Sequence, residues 1–154
     1  MASPNRKVAL VTGGAVRVGR ALSLGLAGAG YDVAVHYYSS SAAAREVVRR
    51  IGEMGRRGVL VEGDIADPAG VQAIAATVRE RCGRLDLLVN SAASFEPADL
   101  LDVDADAWDQ VMNVNLRGPF LLVRESAALL KESQGAVVNI VDLGAFKPWT
   151  SHPH

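Results

Sequence analysis

The residues best suited to chemistry stand together near the start of the chain, in Thr12-Gly13-Gly14-Ala15-Val16-Arg17-Val18-Gly19-Arg20. This run follows a short apolar segment and opens a helical pattern. Glycines in such a turn let the backbone approach a pyrophosphate, and the helix N-terminus offers free N–H groups and a positive dipole end. Gly13, Val18 and Gly19 are therefore candidates for holding a dinucleotide. Arg17 has two readings: a solvated loop charge, or a cation beside the pyrophosphate or the adenosine phosphate. A second cluster, His36-Tyr37-Tyr38-Ser39-Ser40-Ser41, ends the next apolar run. An acid here would take both ribose hydroxyls of NAD, and none is present. A carboxylate would repel a 2′-phosphate, whereas hydroxyls and Arg17 can accept one. His36, Tyr37, Ser39 and Ser40 thus point to NADPH as cofactor, unless the serines only cap the helix that follows.

Positioning these residues calls for alternating strands and helices. Apolar, β-branched runs predict strands at Lys7–Thr12, Asp32–Tyr37, Gly58–Glu62, Leu85–Asn90 and Gly135–Val141. Most lack polar alternation, as strands covered on both faces do. The first helix is expected to bury Val18, Ala21, Leu22, Gly25 and Ala29, with Gly25 and Gly28 permitting close approach to the sheet. The second puts Ala44, Val47, Val48 and Ile51 on one stripe. The third starts with Asp67 as N-cap and Pro68 in the first turn, then buries Val71, Ile74, Val78 and Cys82. A helical stretch from Asp104 to Lys131 contains Gly118-Pro119, and proline removes a helix donor, so two helices are expected. The order β-α-β-α-β-α-β-α-α-β predicts an α/β fold of one unit spanning residues 1–154. It is a doubly wound parallel (Rossmann) sheet, truncated after the fifth strand, with ligands at the carboxyl ends of its strands.

In this order, four segments resemble the short-chain dehydrogenase/reductase family. The glycine turn resembles the family's Thr-Gly-x-x-x-Gly-x-Gly, with Arg17 in place of the middle glycine, a departure shared by the pteridine reductase branch. Asp64-Ile65 looks like the pair whose carboxylate contacts adenine. Asn90-Ser91-Ala92-Ala93 resembles the family's Asn-Asn-Ala-Gly with two substitutions. Asn113-Val114-Asn115 is similar to the segment carrying the catalytic asparagine, which implies Asn115. Each segment alone also has a structural reading, as a strand-end carboxylate or a turn asparagine.

The resemblance extends to the chemistry. Asn139-Ile140-Val141-Asp142 matches the segment that normally ends in the catalytic serine, so Asp142 stands in its place, as it does in pteridine reductases. Those enzymes also stack an aromatic residue on the pterin, a position that Phe95 matches. A flat heteroaromatic ring gains from stacking, and an aspartate in a partly dry pocket beside a nicotinamide can donate a proton. Alternatively, Asp142 is a loop carboxylate and Phe95 a packing residue. Counting about thirteen residues on from Asp142, the family's catalytic tyrosine falls just past His154, and its lysine later still. Lys147, His152 and His154 read as tail residues rather than replacements. The resemblance therefore implies an NADPH-dependent reductase of a pterin, or of a ketone or sugar, lacking part of its active site in this chain. A nucleotide-binding or subunit-association module without catalysis, or one piece of a split protein, is the competing reading. The final strand should then be a sheet edge open to pairing.

Bulk properties agree with a packed domain. The chain has 154 residues, 49% hydrophobic and 21% charged, with a net charge of -1, which leaves no broad footprint for nucleic acid or an anionic membrane. No apolar run approaches the ~20 residues of a membrane span, and no metal site is read. The single cysteine, Cys82, suggests a reducing compartment and hence the cytoplasm. A small-molecule substrate is the expected partner, and the Asp104–Lys131 helices resemble the family's subunit interface, implying a homo-oligomer at full length.

Overall fold

The computed structural model describes residues 6–95 and 97–147; His152 and His154 lie outside them. Five strands run through the middle: β1 (Val8–Val11), β2 (Asp32–Tyr37), β3 (Gly58–Glu62), β4 (Leu87–Asn90) and β5 (Ala136–Asn139). Between them lie α1 (Arg17–Gly28), α2 (Ser41–Glu53), α3 (Pro68–Cys82), α4 (Ala105–Met112) and α5 (Gly118–Ser133). The sheet order is β3-β2-β1-β4-β5 and every pair is parallel. The chain winds outward from β1 to β3, then returns to β4 on the other side. The order therefore reverses between β1 and β4, where a doubly wound sheet opens its ligand crevice.

Alternate residues of the central strands feed two cores. Leu10, Ala34 and Leu88 pack with Ile74, Val78 and Leu122 of α3 and α5. Val11, Val33, Val35 and Val89 pack with Ala44, Val47 and Ile51 of α2. Of the expected stripes, Ala44, Val47 and Ile51 of α2 and Val71, Ile74 and Val78 of α3 are buried, with Val48 and Cys82 half-buried at the margins. Asp67 caps α3 by accepting from the N–H groups of Ala69 and Gly70 at 3.2 and 3.3 Å.

Two expectations are corrected. In α1 the buried residues are Gly19, Ser23 and Ala27, while Val18, Ala21, Gly25 and Ala29 face outward. Small residues four apart let this helix lie close on the glycine turn, a requirement stronger than the pull of its larger apolar side chains. A Cβ at Gly19 would stand 2.1 Å from the Gly13 carbonyl oxygen, whereas one at Gly25 would meet nothing within 4 Å. Close approach therefore belongs to Gly19 and not to Gly25 or Gly28. The two helices expected around Gly118-Pro119 are α4 and α5, but no loop separates them: a five-residue π-helical turn, Asn113–Arg117, joins them, and Pro119 falls in the first turn of α5.

Among the described residues, strand β5 pairs only with β4, and all four of its residues are exposed. Beyond it, Ile140, Val141 and Leu143 are exposed as well. The long apolar segment predicted at Gly135–Val141 is thus a four-residue strand with one free edge.

Candidate functional site

Three loops meet at the carboxyl edge of the sheet, held by two side chains. Thr12 is fully buried, and its Oγ1 accepts from the N–H groups of Ser91 and Ala92 at 2.8 and 2.9 Å. This ties the glycine turn to the loop after β4. His36, 2% exposed, ties the same turn to the loop after β3. Its Nδ1 accepts from the Gly13 N–H at 3.1 Å, and its Nε2 lies 3.0 Å from the Gly63 carbonyl oxygen. Ser23 of α1 completes the frame by donating to the Gly14 carbonyl at 3.0 Å. The sequence places Thr12 in the glycine-turn motif without indicating its hydroxyl's role, and Ser23, between Leu22 and Leu24, reads as core until the turn it serves is known.

The turn presents an uncapped helix end. The N-cap of α1 is Val16, which supplies no side-chain acceptor, so the positive end of the helix dipole has no side-chain cap and could take an anion. Gly13 has a φ of 60° and packs beneath Ala92. Arg17, at a φ of 47°, is exposed on the first residue of the helix. At the end of β2, Tyr37 is buried, with its hydroxyl donating to Glu62 at 3.1 Å, while Ser39 is exposed and Ser40 half-buried. Ser40 makes no capping bond to α2, so its hydroxyl is not spent on the helix. Asp64 accepts from the N–H of Ala66 at 2.8 Å, and Ile65 is buried beside it. Burial holds the His36 imidazole below its ordinary range, against the opposing pull of the Gly63 carbonyl and the Asp64 charge.

On the other side of the switch point, a cavity of about 340 Å³ is walled by Asn90, Ala92, Asn115, Phe120, Asn139 and Ile140, among others. Asn90 is buried; its Nδ2 donates to Asn139 Oδ1 at 2.8 Å, and its own Oδ1 has no donor. A buried acceptor without a donor costs about 1–3 kcal/mol, so this cavity suits a ligand bringing hydroxyl or amide protons. Asn115 sits in the π-helical turn, where its amide is committed to Ser94. Oδ1 accepts from the Ser94 N–H and Nδ2 donates to the Ser94 carbonyl, both at 2.8 Å. That pairing fixes the loop that ends at Phe95, a half-exposed ring. Asp142 is exposed, and its carboxylate accepts from the Gly144 N–H at 2.6 Å, capping the short 3-10 turn Leu143–Ala145. Asn90, Ala92 and Asn115 thus share one cavity, whose wall includes neither Phe95 nor Asp142.

A larger depression, about 390 Å³, lies at the opposite edge of the sheet and includes Arg6, Asp32, Arg57, Cys82 and Arg84. Its buried acid is already matched: Asp32 accepts from the Arg57 N–H at 2.9 Å and faces Arg6 at 3.5 Å. Beside it, Asp86 binds Arg84 and accepts from the Val8 N–H at 2.7 Å. Burial pushes the Cys82 thiol up, away from the thiolate that reacts. The amino ends of the strands serve stability here, and the ligand-ready groups are at the carboxyl ends. Among the described residues, no group of three or more His, Cys, Asp or Glu could hold a metal ion, and no helix is long and apolar enough to cross a membrane.

A parallel doubly wound sheet with a glycine turn and an uncapped helix end on one side of its switch point, and an asparagine-lined cavity on the other, is a Rossmann-like α/β unit. The family model described as short chain dehydrogenase matches residues 7–154, and the chain belongs to that family. It is 33% identical over 147 residues to a 1-cyclohexenylcarbonyl-CoA reductase of Streptomyces collinus, a match covering 96% of this chain and 52% of the relative. It is 35% identical over 135 residues to a 3-oxoacyl-acyl-carrier-protein reductase of Staphylococcus aureus, covering 87% and 55%. Among solved structures, a short chain dehydrogenase from Burkholderia cenocepacia in complex with NADP is similar at a TM-score of 0.90 and 36% identity, covering 95% of this chain and 59% of that one. Acetoin dehydrogenase from Enterobacter cloacae has a TM-score of 0.90 and 33% identity, covering 96% and 62%. The chain thus spans little more than half the length of these curated relatives.

Proposed function

We propose that the chain is the dinucleotide-binding part of an NADPH-dependent reductase. The observation that carries this reading is the uncapped α1 terminus beside Gly13, with Arg17 and the uncommitted Ser39–Ser40 hydroxyls within the same edge and no acid at the end of β2. In this reading the first turn of α1 takes the pyrophosphate. Arg17, Ser39 and Ser40 take the 2′-phosphate, a charge-assisted contact of about 1.5–3 kcal/mol. His36 and Tyr37 support the adenosine end from below, Asp64 and Ile65 flank the adenine, and Asn90, Ser91 and Ala92 border the nicotinamide ribose. A bound NADPH supplies a hydride; the chain's own residues orient it, exclude water and position protons. Asn115 holds the wall of the substrate cavity and, in its role as the family's asparagine, the place of a proton-relaying water.

The substrate reading rests on Phe95 and Asp142. The half-exposed Phe95 would supply an aromatic contact to a flat heteroaromatic substrate. Asp142, exposed and outside the cavity wall here, would pass a proton to a ring nitrogen only once a bound ligand covers it. The match of both positions to the pteridine reductase pattern favours a pterin. A ketone or thioester-linked carbonyl is the second reading, favoured by the acyl-CoA and 3-oxoacyl reductases among the relatives. Titration with NADPH and NADH tests the cofactor: NADPH should bind more tightly by about tenfold, and Arg17→Ala should shrink that ratio. Equal affinities would remove the 2′-phosphate assignment. With NADP+ bound, a reduced pterin should bind and Phe95→Ala should abolish it. Unchanged binding in that variant, with a 3-oxoacyl thioester competing, would establish the carbonyl reading.

A further inference from the structure

His36 is nearly fully enclosed, yet both ring nitrogens face polar backbone groups from different loops. Each partner has a single chemical role. The Gly13 N–H can only donate, so Nδ1 must be bare, and the Gly63 carbonyl can only accept, so Nε2 must carry the proton. The tautomer is thus fixed by geometry. The backbone of the same residue adds a third tie, its carbonyl accepting from the Gly14 N–H at 2.9 Å. We propose that His36 is a positioning residue for the nucleotide, a neutral Nε2–H imidazole strut that holds the glycine turn against the Gly63–Asp64 loop, and that nucleotide binding depends on its keeping that form. This inference rests on the dinucleotide reading above and assigns His36 no contact with the ligand.

The argument is one of donors and acceptors. A proton on Nδ1 would set two N–H groups against each other across 3.1 Å, and the Gly13 amide would have to leave. Gly13 has little room for a compensating shift, because it packs under the Ala92 backbone and the Gly19 helix start lies against its carbonyl. Displacing Gly13 therefore displaces the first turn of α1, the element proposed to hold the pyrophosphate. The charged group acting on the ring is Asp64, from the loop after β3. Glu62 on β3 is taken up by the Tyr37 hydroxyl, Arg45 of α2 acts on that same tyrosine, and the turn's own cation, Arg17, is exposed. Burial opposes the added proton.

The test uses three forms of the chain: wild type, His36→Asn and His36→Phe. Asparagine keeps an acceptor where Nδ1 stands and cannot gain a proton; phenylalanine keeps the ring volume and neither bond. NADPH affinity is measured by titration from about pH 8 to about pH 4.5, through and below the range in which an ordinary histidine changes charge, because burial holds His36 lower. Circular dichroism in the same buffers restricts the comparison to folded protein. At about pH 8, His36→Phe should weaken NADPH about tenfold or more and His36→Asn by much less. On acidification the wild type should lose affinity more steeply than His36→Asn. The 2′-phosphate titrates in the same range but equally in all three forms, so the difference between profiles reports the ring. Parallel wild-type and His36→Asn profiles, or undiminished affinity in His36→Phe, would overturn the proposal while leaving the dinucleotide reading intact. Failure of the wild type to bind NADPH or NADH at pH 8 would overturn that reading instead. Hydrogen exchange then still decides the strut: the Gly13 amide should be protected in wild type and open in His36→Phe, and protection in both would refute it.

Discussion

Arg17 enters α1 at a φ of 47°, a conformation that costs a non-glycine residue about 1 kcal/mol or more. The family motif that this turn resembles has a glycine at this point, so on the proposed reading the arginine would trade local stability for a cation beside the nucleotide. Arg17→Gly should therefore raise stability by about 1 kcal/mol in a thermal melt while weakening NADPH by about tenfold. Loss of stability with unchanged affinity would make Arg17 a mere loop charge. Thr12 acts differently, since its Oγ1 is the acceptor for two amides of the next loop. Thr12→Val keeps the shape and strands both N–H groups, which should cost about 2–4 kcal/mol by denaturant unfolding; Thr12→Ser should recover most of it. At this scale the sequence was legible where a residue's type announces its backbone geometry, as at Gly13, whose φ of 60° is the left-handed region that glycine takes readily. It was not legible where function is carried through a neighbour. Nothing in the string indicates that the His36 ring turns inward to Gly13 and Gly63, or that the Asn115 amide is spent on Ser94.

Helix α1 shows why elements were read more easily than their faces. Its existence and its start follow from the apolar period and the glycine turn, but the stripe chosen from hydrophobicity was rotated from the true one. Contact here is governed by the space left beneath Gly19, Ser23 and Ala27, and closeness of approach leaves no mark in an apolar pattern. Two alanine substitutions in the same helix separate these effects. Gly19→Ala must push the helix off the Gly13 carbonyl, which should cost about 1–3 kcal/mol and lower nucleotide affinity. Gly25→Ala, facing open space, should instead stabilise by about 0.5–1 kcal/mol through helix propensity alone. Equal effects in thermal melts would show that the turn does not depend on this packing. The π-helical turn was missed for a related reason. Proline marked a discontinuity correctly, but the extra residue is set by Asn115 reaching across to Ser94, a tertiary bond between positions far apart in sequence.

Across the whole molecule the sheet is closed by α-helical layers around β1 and β2 and open at β5. Ala136 and Ile140 donate inward to Asp86 and Asn90 at 2.9 Å, so the intervening amides of Val137 and Asn139 point to the free edge, as alternate groups of a parallel pair must. That edge is flanked by exposed Val138, Ile140, Val141 and Leu143. An unpaired, apolar parallel edge is a template for another strand, and here no charged side chain on β5 discourages it. The 154-residue chain should accordingly self-associate with rising concentration in sedimentation velocity, and Val138→Lys should shift it toward monomer. Exchange gives the same answer at residue level. In dilute protein the Val137 and Asn139 amides should exchange much faster than that of Ile140, and the difference should disappear as the chain associates. A strictly monomeric chain with uniform protection along β5 would contradict the free edge, and would require residues beyond those described to be pairing with it.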